Sequence, residues 1–182
     1  MGLQAGTYRL GPDAGTLSVR TGRTGAAAKA GHDLVIEVTA WEGTLRVGED
    51  PADTSVELEA DATSLRVREG TGGMQALGDD DTANIEQTID DEVLKRQAIS
   101  FRSTRVDSAA AGDGLSVRGE LTLLGATRPL AFDIAVAGDG TLSAVAVVKQ
   151  TDWGMKPYSG LFGALKVVDE VEVSVAVHGL GV

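Results

Sequence analysis

The sequence has 182 residues, of which 42% are hydrophobic and 24% charged, the composition of an ordinary globular chain of one domain. Its net charge of −11 repels nucleic-acid phosphates and anionic lipid headgroups, and without cysteine it has neither disulfides nor thiolate metal sites. Two histidines leave little for metal or general-base chemistry, so no catalytic residue, metal or cofactor is predicted.

The first half of the chain alternates apolar and polar residues, which predicts strands that bury one face. Three apolar sets carry this pattern: Leu17 and Val19; Leu34, Ile36 and Val38; and Val56, Leu58 and Ala60. Gly48-Glu49-Asp50-Pro51 is a turn signal between the second and third sets. Short turns of this kind join antiparallel neighbours.

One segment breaks the alternation. Between Asp79 and Arg96, Ile85, Ile89 and Val93 recur every four residues, which predicts an amphipathic helix. Aspartates open this segment, and Lys95 and Arg96 close it, a charge order that favours the helix dipole. We therefore expect one helix between two groups of strands.

The alternation returns in the second half. Its apolar sets are Ile99 and Phe101; Leu115, Val117, Leu121 and Leu123; Leu130, Phe132, Ile134 and Val136; and Val171, Val173, Val175 and Val177. Gly138-Asp139-Gly140 predicts a hairpin turn. The strand from Leu142 to Val148 is apolar in both phases, so we expect cover on both sides, from the helix or from a second subunit as a homodimer.

A sheet of nine or ten amphipathic antiparallel strands has two long edges with unpaired backbone groups, and closure into a barrel removes those edges. The predicted fold class is therefore all-β: an extended antiparallel β-barrel over residues 1–182, with one helix between the strand groups. The inward residues are mostly Val, Leu, Ile and Ala. Periodicity does not distinguish a barrel filled by these side chains from one with an elongated apolar cavity.

Residues Lys149–Lys166, the late segment, form an unusually long connection between strands. The segment holds Trp153, Tyr158 and Phe162, three of the seven aromatic residues in the chain, together with Met155 and Lys156. One interpretation is a lid whose rings guard a barrel entrance and whose Lys156 faces an anionic headgroup. The other is a plug that only caps an open barrel end.

Other functional motifs are weak. Gly70-Thr71-Gly72-Gly73 lacks the third glycine and the βαβ context of a nucleotide loop, and Asp79-Asp80-Asp81 lacks the spacing of a calcium loop. The inward sets contain almost no titratable group, so an enzyme ranks last. A transmembrane barrel needs two aromatic girdles and an export signal, and neither is visible. The residues before Gly6 resemble no signal peptide, which predicts a cytoplasmic protein.

Four motifs occur along the chain in a distinctive order: Gly6-Thr7-Tyr8-Arg9-Leu10-Gly11-Pro12-Asp13, Ile99-Ser100-Phe101-Arg102-Ser103-Thr104, Gly119 to Pro129, and Asp152-Trp153-Gly154. Together they resemble the motifs of the YceI-like family of lipocalin-like polyisoprenoid-binding proteins. Family members commonly carry a histidine and an aromatic residue where this chain has Gly15 and Leu17. The resemblance implies a lipocalin-like barrel that binds, transports or stores a long isoprenoid-type lipid without catalysis.

On this reading the candidate ligand contacts fall into two groups. The lining residues are Leu34, Ile36, Phe101, Leu121, Leu123, Phe132 and Ile134, and those at the entrance are Trp153, Lys156, Tyr158 and Phe162. The alternative is an interaction or stress-response domain with a solid core, acting through its acidic surface. An interior packed at ordinary core density would favour that alternative.

Overall fold

The computed structural model describes residues 3–110 and 114–180. The strands there are β1 Gly6–Leu10, β2 Gly15–Thr21, β3 Arg23–Thr24, β4 His32–Val38, β5 Trp41–Val47, β6 Ser55–Ala60, β7 Leu65–Gly72, β8 Ile99–Ser108, β9 Leu115–Leu123, β10 Ala126–Val136, β11 Leu142–Lys149, β12 Ser159–Gly160, β13 Leu165–Val167 and β14 Glu170–Val177. The helix α1 is Asp79–Thr88, and a wider π turn, Ile89–Val93, follows it. Single 3-10 turns are Ala28–Ala30, Pro51–Asp53, Gln150–Trp153 and Leu161–Gly163.

Eleven strands form one curled antiparallel sheet in the order β1-β5-β6-β8-β9-β10-β11-β14-β2-β4-β7. The predicted all-β, antiparallel, lipocalin-like architecture is confirmed. The expectation that closure removes every edge is wrong for the described residues, because β1 and β7 do not pair with each other. A second small sheet, in the order β12-β13-β3, lies at one end of the large one.

One long hairpin produces the curl. Residues 32–47 run antiparallel to residues 55–72, with Trp41 opposite Ala60 and Val38 opposite Leu65. Both arms of the hairpin bend in the middle. As a result, β5 and β6 lie near one edge of the strand order, and β4 and β7 lie at the other edge. The same two stretches of chain therefore contribute to both ends of the sheet and bring its two edges round towards each other.

Ser64 fastens this bend. Its buried side chain accepts a hydrogen bond from the Ala40 N–H at 3.1 Å and donates to the Asp61 carbonyl oxygen at 2.8 Å. Its own carbonyl oxygen accepts from the Thr39 N–H at 2.9 Å. Hydrogen bonds therefore satisfy the backbone groups that the bend takes out of the strand ladder.

The α1 helix starts where predicted but is shorter. Its first turn is acidic, and the Asp81 carboxylate accepts from the Gly78 N–H at 3.0 Å. The prediction of one helix to Arg96 is wrong, because the α-helix ends at Thr88 and Leu94 N–H donates to Ile89 at 2.8 Å across the π turn. Ile89 and Val93, the first and last residues of this turn, both face the interior.

The helix also protects an edge of the sheet. The Val67 N–H on edge strand β7 donates to the Glu86 carboxylate at 2.9 Å, in place of a neighbouring strand. Covering an exposed strand in this way is a common defence against edge-to-edge aggregation.

The two phases of β11 lie in different surroundings. Leu142, Ala144 and Val148 are buried in the core. Val145 and Val147 point outward and are 52% and 56% exposed, so no described part of the chain covers them. The predicted cover by the helix is therefore absent from the described residues.

Candidate functional site

The interior of the curled sheet is hollow. It surrounds a cavity of about 540 Å³, within the range of about 300–1,000 Å³ typical of small-molecule sites. Most of the surrounding side chains are aliphatic or aromatic. All seven residues named from the sequence as candidate lining contribute to it: Leu34, Ile36, Phe101, Leu121, Leu123, Phe132 and Ile134.

The cavity also takes side chains from elements that sequence reasoning did not assign to it. The helix and π turn supply Ile85, Ile89 and Val93, and β14 supplies its four valines. Their apolar stripes were visible in the sequence. That they converge on one space depends on the bent hairpin and the helix position, which no local pattern specifies.

Two phenylalanines and one glycine shape the wall of the cavity. The rings of Phe101 and Phe132 lie 5.2 Å apart between centroids, at 53°. Phe101 crosses over Gly119 so closely that a Cβ on that glycine would lie 2.5 Å from the Phe101 Cζ. The absence of a side chain at Gly119 therefore allows the Phe101 ring to lie flat along the wall.

Polar residues gather at one end of the cavity, which we call the rim. Tyr158 and Lys166 from the late segment contribute to the lining there, beside Arg23 and His32. The Arg23 guanidinium donates to the carbonyl oxygens of Gly31 at 2.6 Å and Thr71 at 3.0 Å. The His32 Nε2 lies 2.7 Å from the Gln75 carbonyl oxygen. Arg23 therefore joins Gly31 to β7, and His32 joins β4 to the loop after β7, whereas Lys166 is exposed.

The late segment is ordered by pairing. Its β12 and β13 strands join β3, and Ala27 N–H donates to the Ala164 carbonyl oxygen at 2.8 Å. Thr151 N–H donates to the Asp169 carboxylate at 2.9 Å, and the Thr151 hydroxyl donates to it as well. These bonds, the hydroxyl's first, lower the pKa of Asp169 below its ordinary 3.8. The segment is thus tied at its start and along its middle.

The four residues predicted at the entrance separate in the structure. Tyr158 lies at the rim. Trp153 is only 4% exposed, and its Nε1–H donates to the Leu121 carbonyl oxygen at 2.8 Å, so it packs against β9 outside the lining. Lys156 and Phe162 are exposed and do not line the cavity. Met155, by contrast, is buried and lines it.

Few titratable groups reach the cavity. Besides Arg23, His32, Tyr158 and Lys166, only Glu57 contributes, and its carboxylate faces Arg102 at 3.6 Å. Within residues 3–110 and 114–180, no group of three acidic or histidine side chains is arranged to hold a metal ion. None of the helices in these ranges is long and apolar enough to cross a membrane.

Comparisons with solved structures show the same fold. BcnA from Burkholderia cenocepacia superposes with a TM-score of 0.66 over 91% of this chain and 96% of that one, at 16% sequence identity. The YceI protein of Campylobacter jejuni superposes with a TM-score of 0.51 over 79% of this chain and 82% of its own, at 12% identity. At such low identities the likeness concerns the fold alone. No curated protein matches the sequence.

A sequence model of a protein family identifies the family to which this fold belongs. The model of the YceI-like domain matches residues 8–178, which is nearly the whole chain and includes every residue that lines the cavity. The match contains the motifs around Phe101, Gly119 and Trp153 from which the resemblance was predicted. The chain therefore belongs to the YceI-like domain family.

Proposed function

We propose that this protein binds one long apolar lipid of the isoprenoid class inside its cavity and carries or stores it without altering it. The observation that carries the proposal is the largely apolar cavity of about 540 Å³ inside the curled sheet, with polar groups at one end. An interior packed solid, as in the alternative interaction domain, leaves no such space. Membership of the YceI-like family supports the same ligand class.

The energetics suit a hydrocarbon tail. Each CH₂ transferred from water to an apolar site contributes about 0.8 kcal/mol, so several buried isoprene units outweigh the cost of association. Away from the rim the lining offers few hydrogen-bonding side chains, chiefly Glu57, Asn84 and Thr88, so a polar ligand would lose most of its hydration without replacement. The site therefore selects ligands by their apolar length.

The rim gives the ligand a direction. Lys166 and the Tyr158 hydroxyl offer donors to a polar head, whereas the buried Leu65, at the other end of the β4–β7 pair from His32, contributes an apolar side chain to the lining. We propose that the tail points towards the bend and the head towards the rim. A lysine at this position favours a head that carries oxygen atoms or negative charge.

Turnover is not part of this proposal. A chemical step needs a nucleophile or a base held near the reacting atoms. The rim histidine lies instead against a backbone carbonyl, and the rim arginine is occupied by two others. The bound lipid is expected to leave the protein with the mass at which it entered.

Lipid extraction and uptake test the proposal. Protein purified from its own host is extracted with organic solvent, and the extract is examined by mass spectrometry. In parallel, delipidated protein is mixed with a polyprenol delivered from ethanol, and the complex is measured by native mass spectrometry. We expect one lipid per chain with an unchanged mass. Repeated absence of both a co-purified lipid and polyprenol uptake would refute the proposal.

A homodimer is a second proposal, supported by the outer face of β11. Val145 and Val147 are exposed there, with Val145 opposite Ser174 and Val147 opposite the exposed Glu172 of β14. Small and apolar side chains in the middle of a sheet suit face-to-face packing with another sheet. We propose a second copy of this chain as the partner that covers Val145, with Glu172 of each copy at the margin of the interface.

Sedimentation velocity tests the dimer. We expect the wild-type protein to sediment as a dimer and Val145→Lys to sediment as a monomer, because the substitution places like charges across the two-fold interface. Ser116→Lys, a change on another strand, serves as the control. A wild-type monomer at all concentrations would reject the dimer without affecting the proposal of lipid binding.

A further inference from the structure

We infer that the turn Leu161–Gly163, here called the tip, inserts into the surface of a phospholipid bilayer and brings the rim to the membrane from which the cavity is loaded. This inference extends the proposed function by naming the surface that delivers the ligand. Membrane binding itself is measurable whether or not the cavity holds a lipid, so the two ideas are tested separately.

The tip presents its apolar side chains to water. Leu161 is 57% exposed and Phe162 is 113% exposed, more than in the extended reference peptide. Folding normally buries a phenylalanine, because its ring is among the most apolar surfaces in a protein. Of the seven aromatic residues, Phe162 is the one held clear of the molecule.

The backbone enforces this exposure. Leu161 and Phe162 have φ angles of 50° and 55°, and Gly163 continues the left-handed turn at 87°. Residues with side chains rarely adopt this region, and bulky residues adopt it at an energetic cost. Pairing of β12 with β13 on either side holds the strained turn in place. The positive φ angles of Leu161 and Phe162 therefore hold these two side chains in an exposed conformation that an unstrained turn would not require.

The tip lies beside the rim. Lys166 and Leu165 of β13, which line the cavity, pair with Ser159 and Gly160 directly before the tip. Leu165 also packs against Gly31, next to His32. His32 contacts the loop that contains Met74, another side chain that is largely exposed. Apolar side chains thus project from two sides of the cavity end that would receive the lipid.

The charge around the tip favours a bilayer over other apolar partners. Lys156 and Lys166 flank it in the chain, and Lys29 lies in the 3-10 turn beside the Ala27–Ala164 hydrogen bond. Every ion pair found among the described residues is made by an arginine, so these exposed lysines remain available to lipid phosphates.

The net charge of the whole molecule opposes binding to an anionic membrane. At −11 the body of the protein is repelled by an anionic membrane, and Asp79–Asp81 begin α1 only five residues after Met74. Repulsion of the body and attraction of the lysines together orient the molecule with its tip towards the lipid. Burial of an apolar side chain and attraction of basic groups to anionic lipids are the two contributions that hold amphipathic segments at a bilayer interface, and the tip combines both.

Vesicle flotation with the full chain tests the inference. The vesicles contain equal parts of phosphatidylcholine and phosphatidylglycerol. We expect the wild-type protein to float with them and Phe162→Asn to bind at least about tenfold more weakly, because the phenyl ring is lost. Asparagine tolerates left-handed backbone, so this variant keeps its fold. Phe162→Trp, which keeps an aromatic ring in the tip, is the control and is expected to float like the wild type. Equal binding of Phe162→Asn and wild type, or no binding by either, would overturn the inference.

Lipid uptake separates this inference from the proposed function. We expect Phe162→Asn to take up polyprenol from ethanol as the wild type does, but to extract it from vesicles at least about tenfold more slowly. Tip-dependent flotation without any polyprenol uptake would support the docking surface and refute the cargo. Equal extraction rates for the two proteins would refute loading through the tip.

Discussion

The indole N–H of Trp153 donates a hydrogen bond to the carbonyl oxygen of Leu121 at 2.8 Å, in a place where both groups are buried. This bond ties the late segment to the strand that forms one wall of the cavity. Trp153 therefore fixes the position of the rim from outside the cavity, and its ring does not need to touch the ligand.

Replacing Trp153 tests this structural role. We expect Trp153→Phe to lower the free energy of unfolding by about 1–3 kcal/mol more than Trp41→Phe, measured by urea denaturation. Trp41 is an equally buried control, and its Nε1 has no hydrogen-bond partner among the described residues. Equal losses for the two variants would show that the bond to Leu121 contributes nothing measurable.

Filling the cavity tests the binding site. Ala146 and Val147 are neighbours on β11, but Ala146 lines the cavity whereas Val147 points to solvent. We expect Ala146→Phe to reduce polyprenol uptake at least about tenfold, because the ring occupies the space of several methylene groups. Val147→Phe adds a similar ring to the outside and is expected to bind normally. Equal uptake by both variants would place the ligand outside the cavity.

The pair of Thr151 and Asp169 predicts a dependence of stability on acid. Hydrogen bonds from Thr151 lower the pKa of Asp169 in the folded protein, so this group stabilises the fold above its unfolded value of 3.8. That contribution is lost as the pH falls through the lower folded value. We expect Asp169→Asn to lower Tm at neutral pH, and the difference from wild type to shrink below about pH 3.8.

The control for this pair lies in the same segment. Asp152 is exposed, and its side chain takes part in none of the hydrogen bonds found among the described residues. Asp152→Asn is therefore expected to follow the wild-type Tm profile at every pH. A constant difference between Asp169→Asn and wild type across the acid range would contradict the linkage.

Ser64 tests the bend of the long hairpin. Removing its hydroxyl leaves the Ala40 N–H and the Asp61 carbonyl oxygen without that partner. We expect Ser64→Ala to lower the free energy of unfolding by about 1–3 kcal/mol in urea denaturation. Ser143→Ala, at an exposed position of β11, is expected to change it by less than about 0.5 kcal/mol. A silent Ser64→Ala would mean that the bend holds without this side chain.

The sequence predicted the cavity wall well because strand alternation is a local property. Leu34 and Ile36, or Phe132 and Ile134, are two residues apart and so face the same side wherever the strand lies. The same rule separated Ala146 from Val147 without saying which of the two faces inward. That choice is made by the strands on either side, β10 and β14.

Predictions about the late segment were weaker for a physical reason. Trp153, Tyr158 and Phe162 are all aromatic residues of one loop segment and give the sequence no basis for separating them, but of the three only Tyr158 lies at the rim. The 3-10 turn at Gln150–Trp153 directs one ring towards the Leu121 carbonyl oxygen, and the left-handed turn at Leu161–Gly163 directs another into solvent. The bend at Ser64 was missed as well, because no glycine or proline marks it.

The place of β14 in the sheet bears on how the chain reaches this fold. It follows all the other strands in sequence but lies between β11 and β2, in the interior of the strand order. Before β14 pairs with β11 and β2, the valine-rich part of the cavity wall is absent and the apolar interior is exposed to water. A nascent chain at that stage resembles a substrate for chaperones more than a lipid binder. Pairing of β14 with its two neighbours therefore converts an aggregation-prone intermediate into a protein with a formed cavity.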